Sequence, residues 1–386
     1  METVTANLIS QGFCRISIDG GTIAKVERLE AERVAEPFCS PGFVDLQING
    51  ARGVNFSAPD LTAEAAAGMV AAMWATGVTT FCPTLVTSPL DLLERNLRLL
   101  EEARGKDPDF AASVPCYHVE GPYLSPGPSH GAHDPALMRR PDWAEFTRLQ
   151  QAAGGNIGIL TIAPELAGAA EMIRRVSESG VVVAIGHTDG TASDIHQAVE
   201  AGARLSTHLG NGCPEFIHRH RSPLWAQLVS DELSASMICD GFHLPAEVIQ
   251  AIARLKGVDR SILVTDAIHV AGLPPGPYEL GTVPIELLAS GQVVTRTTPS
   301  SMAGSTLAMN RAIAQYRTLG GVSLEAAVQA ATANPARLLA RGGGVCQRLE
   351  EGAPANLVLW RGGEEELQIE AVWCEGRRHR TSNSNL

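Results

Sequence analysis

Four side chains able to carry acid–base or metal chemistry each end, or closely follow, a short apolar segment. They are Glu120 in "HVEGP", His187 in "GHTDG", His208 in "STHLG" and Asp266 in "VTDA". One carboxylate with two imidazoles is a donor set that suits zinc or another divalent transition ion. Asp266 can then take a proton from a water activated by that ion and pass it to a leaving group. The four residues therefore predict a metal-dependent hydrolytic site.

Each of these residues also has a plainer interpretation. A histidine at a strand end can be a structural hydrogen-bonding residue, and Asp266 can cap the next helix. Glu120 can pair with a lysine or arginine. These interpretations treat the residues singly, whereas a shared site explains why all four stand at the same point of a repeated unit.

Two further segments carry polar groups with a possible role. His133 in "GAHDP" follows the third strand candidate and can donate a hydrogen bond to a carbonyl, or it is an exposed loop residue. The segment "IHRHRSP" holds Arg219 in an otherwise acidic protein, so it can bind a phosphate or face a partner. His243, after the seventh strand candidate, can join the same pocket.

The elements that must position these residues follow a repeating pattern of a short β-branched segment and then an Ala/Leu-rich helical one. The eight strand candidates are 42–48, 78–84, 114–120, 157–163, 181–187, 203–209, 235–241 and 261–267. The helix candidates include 61–77 and 89–105, each ending on a glycine suited to a helix terminus. The pattern predicts an α/β protein with a (β/α)8 TIM barrel, and an open doubly wound sheet is the alternative. In a barrel the carboxyl ends of all strands share one face, where distant residues converge.

The two ends of the chain differ from this pattern. Residues 1–42 contain an alternating segment that turns at Gly20-Gly21, and residues 345–386 contain further strand-like segments. We expect both ends to form one small discontinuous β-sandwich domain, with the catalytic barrel over 43–344. Residues 276–297 predict a β-rich insertion in the barrel.

The bulk composition excludes several classes of protein. The 386 residues are 45% hydrophobic and 19% charged, which is typical of a globular protein with a large core. The net charge of −12 disfavours nucleic acid and anionic membranes, and no apolar run is long enough to cross a bilayer. The N-terminal segment lacks the order of a secretory signal, and the eight cysteines are scattered without C-x-x-C spacing. These features predict a cytoplasmic protein with reduced thiols.

The chain resembles the N-acetylglucosamine-6-phosphate deacetylases, a branch of the amidohydrolase superfamily. The resemblance is carried by segments in the family's order from about residue 41 to 359. They are "PGFVDLQING", "HVEGPYLSP", "GAHDP", "GHTDG", "STHLGNG", "CDGFHLP", "VTDA", "MAGSTLAM", "TANPARLL" and "GAPANLVLW". The resemblance implies a homodimer that hydrolyses the acetamide of N-acetylglucosamine 6-phosphate to glucosamine 6-phosphate and acetate, in amino-sugar catabolism.

The resemblance also implies roles for individual residues. Glu120, His187 and His208 match the family's metal ligands, and Asp266 matches its catalytic acid/base. His133 matches the residue that polarises the acetamide carbonyl. The remaining matches concern substrate contacts and are Ala132, Asn211, Gly212, Arg219 for the phosphate, Asp240, His243, Met302, Ala303 and Gly304.

Three departures from the family pattern bear on the expected chemistry. Many amidohydrolases have His-x-His after the first strand and bind two metals, whereas this chain has Gln47 and Asn49 there. We therefore expect one divalent ion per subunit, zinc by donor type, with iron, manganese or cobalt also compatible. Gly210 replaces an aromatic residue, and the segment around Arg219 lacks the family's flanking glycines.

These departures leave alternative functions open. The enzyme can act on a related or non-phosphorylated N-acetylhexosamine, including the galacto isomer, or on a cyclic amide. A non-catalytic sugar-phosphate sensor on a barrel scaffold is a rival from another class; it would be favoured by the loss of a metal ligand or of Asp266, and all are present.

Overall fold

A computed structural model describes residues 1–9, 11–30, 37–297, 302–339 and 347–380. The predicted boundary at residue 345 and Cys346 lie outside the described residues. No helix in these ranges combines the length and apolar character needed to span a membrane.

The described residues form twenty strands, numbered along the chain. They are β1 (Glu2–Leu8), β2 (Gly12–Asp19), β3 (Thr22–Arg28), β4 (Phe38–Pro41), β5 (Phe43–Ile48), β6 (Gly50–Ala51), β7 (Val54–Asn55), β8 (Val78–Val86), β9 (Tyr117–Glu120), β10 (Ile157–Ile162), β11 (Val182–Ile185), β12 (Leu205–Ser206), β13 (Ser234–Met237), β14 (Ser261–Leu263), β15 (Gly276–Leu280), β16 (Val283–Leu287), β17 (Val293–Thr295), β18 (Leu357–Arg361), β19 (Gln368–Cys374) and β20 (Arg377–Arg380).

Helices follow most of the central strands. They are α1 (Ala63–Ala75), α2 (Leu90–Lys106), α3 (Pro108–Ser113), α4 (Trp143–Ala152), α5 (Ala169–Glu178), α6 (Ala192–Ala201), α7 (Pro223–Val229), α8 (Ala246–Arg260), α9 (Met309–Gly320), α10 (Leu324–Ala330) and α11 (Ala333–Leu339). Two short 3₁₀ turns, Pro128–His130 and Pro135–Leu137, lie in the loop after β9.

The central sheet confirms the predicted eight-stranded parallel barrel. Its hydrogen-bonded order is β5-β8-β9-β10-β11-β12-β13-β14, so sequential barrel strands are neighbours. Every neighbouring pair is parallel. All eight strand candidates of the sequence therefore correspond to strands of one sheet, and their carboxyl ends lie on one face.

The first and last barrel strands meet largely through a buried carboxylate. The Asp45 side chain accepts hydrogen bonds from the Thr265 hydroxyl at 2.5 Å and from the Thr265 amide at 3.2 Å. Just beyond, the Asp266 amide donates to the Gln47 carbonyl at 2.9 Å. Burial raises the pKa of Asp45 to about 7. These contacts nearly close the sheet and bring Gln47 next to Asp266.

Several barrel strands end earlier than the sequence predicts. The strand candidates 181–187, 203–209 and 261–267 are observed as β11, β12 and β14, which stop two or three residues before the polar residue. The physical reason is that those polar residues, His187, His208 and Asp266, have φ angles of 47°, 30° and 48°. Such left-handed residues cannot continue a β-ladder.

One predicted helix end was also wrong. Gly105 lies inside α2, which ends one residue later because Asp107 caps the following helix, α3, at its amino end. Gly257, inside α8, has a φ of 65° and kinks that helix.

The two chain ends form one seven-stranded sheet of order β20-β19-β18-β4-β1-β2-β3, which confirms that they meet. The β2–β3 hairpin turns at Gly20-Gly21, and both glycines have positive φ, as a tight hairpin turn requires. Trp360 and Trp373, two large buried side chains, are contributed by the carboxyl-terminal strands. The division of the chain into two domains at 42 and 345 remains a prediction.

The predicted β-rich insertion is the three-stranded antiparallel sheet β15-β16-β17. Its buried residues pack with those that follow Asp266, among them Ile268 and Val270, and with the partly buried Ala132. The Thr282 hydroxyl also donates to the Asp134 carboxylate at 3.1 Å. The insertion therefore supports the loop that carries His133.

Candidate active site

The structure brings three of the four predicted chemical residues into direct contact. The Glu120 Oε1 atom lies 3.2 Å from His187 Nε2 and 3.0 Å from His208 Nε2. The three donor atoms all lie within 4.8 Å of one another. All three side chains are buried, with 2%, 6% and 3% of their surfaces exposed, although their residues are up to 88 positions apart in the chain.

The hydrogen bonding of His187 shows why a cation fits between these groups. Its Nδ1 atom lies 3.0 Å from the Ser129 carbonyl, which can only accept, so Nδ1 carries a proton. In a neutral ring Nε2 is then a lone pair, and it faces a carboxylate oxygen at 3.2 Å. Two acceptors at this distance need a proton or a metal ion between them. The donor set therefore fits a divalent cation.

Electrostatics at Glu120 and His208 agree with this need for a cation. Burial alone would raise the pKa of Glu120, but its contacts with His187 and His208 outweigh burial and hold the pKa well below its usual range. Burial alone would lower the pKa of His208, but the hydrogen bond to Glu120 and its charge outweigh burial and raise it. Both pKa shifts therefore favour the charged forms of the pair, a carboxylate and an imidazolium.

The local backbone around the histidines is shaped to hold their rings. His187 and His208 adopt left-handed conformations, each costing about 1–2 kcal/mol for a non-glycine residue. Gly212, at a φ of 59°, packs so closely that an added Cβ would lie 2.8 Å from His187 Nδ1. Gly131 leaves a similar space, with 3.1 Å from such a Cβ to His187 Cε1. Larger side chains at either glycine would push the ring away from Glu120.

Asp266 lies beside the three donors and is oriented by two amides. Its Oδ1 atom accepts from Asn49 Nδ2 at 2.7 Å and from Gln47 Nε2 at 3.2 Å. Burial, together with the negative charge of Glu120, raises the pKa of Asp266 to about 6. Gln47 and Asn49, where a second metal would need imidazoles, act here as hydrogen-bond donors to the carboxylate. Asp266 is thus a proton acceptor held at one oxygen.

His133 lies next to the same three donors and is carried by the loop after β9, which hydrogen bonds hold in position. Its ring centroid lies 4.4 Å from that of His187, and its Nδ1 atom lies 2.9 Å from the Thr87 hydroxyl. Burial and the neighbouring His187 lower the pKa of His133 to about 3, so the ring is neutral near pH 7. The Asp189 carboxylate accepts from the Ser129 amide and fixes the base of the loop.

A cavity of about 1320 Å³ opens over these groups. Six of the substrate contacts implied by the sequence line it: Ala132, Asn211, Gly212, His243, Met302 and Gly304. Asp240 and Ala303 are buried outside the lining. Asp240 instead accepts from His243 Nδ1 at 2.6 Å and from its amide at 2.9 Å, so it orients that ring. Burial alone would raise the pKa of Asp240, but the hydrogen bond from His243 outweighs it and the pKa is lowered.

Arg219 does not join this group. It is exposed, its carbonyl accepts from Trp225 Nε1 at 2.9 Å, and it is not among the residues that line the cavity. Glu215 and Phe216, from the same loop, line the cavity instead. A role for Arg219 in phosphate binding stays a prediction.

The charged side chains of the described cavity wall include carboxylates but no lysine or arginine. Asp60, Asp134, Glu215 and Glu279 contribute carboxylates near its rim and walls.

Sequence reasoning missed several residues that support the site. Thr87, Asp189 and Glu165 connect the His133 loop and the segment after His187 through hydrogen bonds. Asp189 could have been found as the second acidic residue of "GHTDG". Thr87 gave no signal, because a threonine after a strand is common and its partner is 46 positions away.

Comparison with known proteins shows the family. The amidohydrolase family model matches residues 38–379. The N-acetylglucosamine-6-phosphate deacetylase of Danio rerio is 34% identical over 88% of this chain and 83% of that protein. The N-acetylgalactosamine-6-phosphate deacetylase of Escherichia coli O157:H7 is 31% identical over 94% of each chain.

A solved structure shares the whole architecture. It is a mutant N-acetyl-D-glucosamine-6-phosphate deacetylase from Mycobacterium smegmatis in complex with N-acetyl-D-glucosamine 6-phosphate. It is 31% identical, covers 97% of this chain and 98% of its own, and has a TM-score of 0.87.

Proposed function

The chain belongs to the amidohydrolase family, and on that premise we propose that it hydrolyses the acetamide of N-acetylglucosamine 6-phosphate to glucosamine 6-phosphate and acetate. The observation that carries the proposal is the buried contact of Glu120 with His187 and His208, flanked by Asp266 and His133. Amidohydrolases are metal-dependent, and this donor set fits a metal.

We propose Glu120, His187 and His208 as the ligands of one divalent ion per subunit. Zinc suits a set of two imidazoles and one carboxylate, and iron, manganese and cobalt are compatible with it. When bound, such an ion supplies a Lewis acid for the carbonyl and lowers the pKa of a water toward neutrality. Because Gln47 and Asn49 offer amides where a second metal would need imidazoles, one ion is expected.

Asp266 and His133 would perform the proton chemistry. Asp266 accepts the proton of the attacking water and delivers it to the departing amide nitrogen, which leaves poorly as an anion. Gln47 and Asn49 occupy Oδ1, so the proton is expected to be carried by Oδ2. His133 donates a hydrogen bond to the carbonyl oxygen, where negative charge develops in the transition state.

The sugar would occupy the wall formed by the loops after the fifth to eighth barrel strands. We propose contacts from Asn211, Gly212 and His243 on one side, with Asp240 holding the His243 ring. Met302 and Gly304 line the wall near Asp266, with Ala303 buried between them, and Ala132 lies beside His133. Arg219 is proposed to reach the phosphate from the adjacent loop.

A second candidate is favoured by the cavity wall itself. No lysine or arginine is found among its described lining residues, which suits a neutral sugar better than a phosphorylated one. The alternative is therefore deacetylation of a non-phosphorylated N-acetylhexosamine. The galacto isomer also stays open, because the compared relatives include an N-acetylgalactosamine-6-phosphate deacetylase.

We also propose that the protein is a homodimer and that it is located in the cytoplasm. Nine large apolar residues are exposed in the described chain, and all but Met1 lie between Phe216 and Val258, on α7, α8 and the adjoining loops. An apolar surface concentrated in this way is typical of a subunit interface. The seven described cysteines are all free, as expected of a reducing compartment.

Replacing Asp266 tests the proton-transfer role. Asp266→Asn keeps the shape and the hydrogen bonding but cannot accept the proton, so we expect kcat for acetate release to fall about 10²- to 10⁴-fold. Zinc content should be unchanged, because Asp266 is not a proposed ligand. Asp231→Asn, at an 80% exposed side chain, is the matched control. Near-normal activity of Asp266→Asn would rule out the role.

Comparing sugars with and without the 6-phosphate tests substrate class and Arg219 together. We expect kcat/KM to be higher for the phosphorylated sugar, and Arg219→Met to lower it about 10- to 100-fold, the value of a charged hydrogen bond. The same change should leave the rate on the neutral sugar unaffected, and Arg174→Met, at an exposed position of α5, should affect the rate on neither sugar. Equal rates on the two sugars would instead support the second candidate.

Mass in solution tests the dimer. Sedimentation equilibrium should give about twice the 40.8 kDa of one chain. Val229→Lys, at a residue that is 65% exposed on the apolar surface, should shift the protein toward the monomer. Thr5→Lys, on an exposed position of β1, should not. A monomeric wild type would contradict the proposal.

A further inference from the structure

Thr87 lies directly after β8 and contacts His133, a polar side chain that reaches the site from the loop after β9. Its hydroxyl is 2.9 Å from His133 Nδ1, only 7% of the residue is exposed, and it lines the cavity. The same oxygen is 3.5 Å from the Glu120 carbonyl. Thr87 therefore connects the loop to the strand that ends at Glu120.

The Thr87 contact decides which nitrogen of His133 holds the proton. A neutral imidazole carries one ring proton, on either Nδ1 or Nε2. If the Thr87 hydroxyl donates to Nδ1, the ring proton is on Nε2 and can be donated to a substrate oxygen. If Nδ1 donates to Thr87, Nε2 is a lone pair and cannot donate to a carbonyl.

Distances favour donation by Thr87. A hydroxyl has one proton to give, and O–H···O hydrogen bonds are normally 2.5–3.0 Å long. Donation to the Glu120 carbonyl across 3.5 Å would be weak, whereas donation to His133 Nδ1 across 2.9 Å is of ordinary length. The Thr87 proton is thus better placed on His133.

The His133 ring has little freedom to find another partner. A Cβ on Gly121 would come within 2.3 Å of the Thr87 oxygen, so the hydroxyl is closely packed. The loop before His133 is fixed by Asp189, which accepts from the Ser125 hydroxyl at 2.5 Å and from the Ser129 amide at 3.2 Å. With both sides fixed, the hydroxyl is the group that selects the tautomer.

We propose that Thr87 is a positioning residue whose hydroxyl donates to Nδ1 of His133 and so keeps the ring proton on Nε2, facing the acetamide oxygen. The inference rests on the proposed function for its catalytic consequence. Its tautomer content can be measured without turnover.

The test uses the zinc-loaded full chain labelled with ¹⁵N-histidine. Long-range ¹H–¹⁵N spectra distinguish the two neutral tautomers, and the signal that disappears in His133→Gln assigns the ring. We expect Nε2–H in the wild type and in Thr87→Ser, and a shift toward Nδ1–H in Thr87→Val, which keeps the shape without the hydroxyl. The Nδ1–H form in the wild type, or an unchanged Nε2–H form in Thr87→Val, overturns the inference.

Kinetics provide the second readout. Thr87→Val should lower kcat about 10- to 100-fold with KM changed less than about threefold, because a hydrogen bond to the developing oxyanion is weakened. Thr87→Ser should recover most of kcat, and Thr147→Val on the outer helix α4 is the matched control. Full kcat in Thr87→Val also overturns the inference.

The spectra and the kinetics distinguish a failure of the Thr87 inference from a failure of the proposed function. Absence of acetate release by the wild type from every N-acetylhexosamine offered would count against the proposed function, and the spectra would still decide the tautomer. If Thr87→Val does not fold, the wild-type and Thr87→Ser spectra alone carry the decision.

Discussion

The contact between the Glu120 carboxylate and two imidazoles is the interaction on which the site depends. A carboxylate and two imidazole lone pairs, buried and within 4.8 Å of one another, repel as acceptors and are stabilised by a cation among them. The proton on His187 Nδ1, fixed by the Ser129 carbonyl, removes the simplest way to relieve that repulsion. The other side chains of the cavity surround this site, which needs a positive charge.

The fold places these side chains by holding three residues in an unfavourable backbone conformation. Of the five described non-glycine residues with positive φ, three are His187, His208 and Asp266. Each lies two or three residues beyond the end of its strand, and its side chain lines the cavity at the barrel mouth. The barrel can hold these strained turns because neighbouring strands bond to them, as when the Asp266 amide donates to the Gln47 carbonyl.

The sequence allowed the barrel and the convergence of the chemical residues to be predicted, because both follow from local patterns. Apolar segments with a polar residue at the end mark parallel strands, and a barrel gathers their ends on one face. The exact ends of β11, β12 and β14 could not be predicted, since a left-handed histidine or aspartate has no sequence signature comparable to glycine.

Contacts between distant loops were also beyond prediction. Thr87 and His133 meet because the loops after β8 and β9 are neighbours, and the hydroxyl matters only through the ring nitrogen it faces. Arg219 stays untested: the sequence resemblance assigns it to the phosphate, and its side chain is exposed and is not among the residues that line the cavity. Chemical type was readable from the sequence, and side-chain direction was not.

Calorimetric titration of the metal-free protein with zinc tests the central claim most directly. The account predicts one ion per chain, and loss of that ion in Glu120→Gln. In the pH range where His208 is protonated, zinc affinity should fall about tenfold for each unit by which the pH is lowered, because binding must displace that proton. Two equivalent ions per chain, or tight binding that survives Glu120→Gln and does not change with pH, would contradict it.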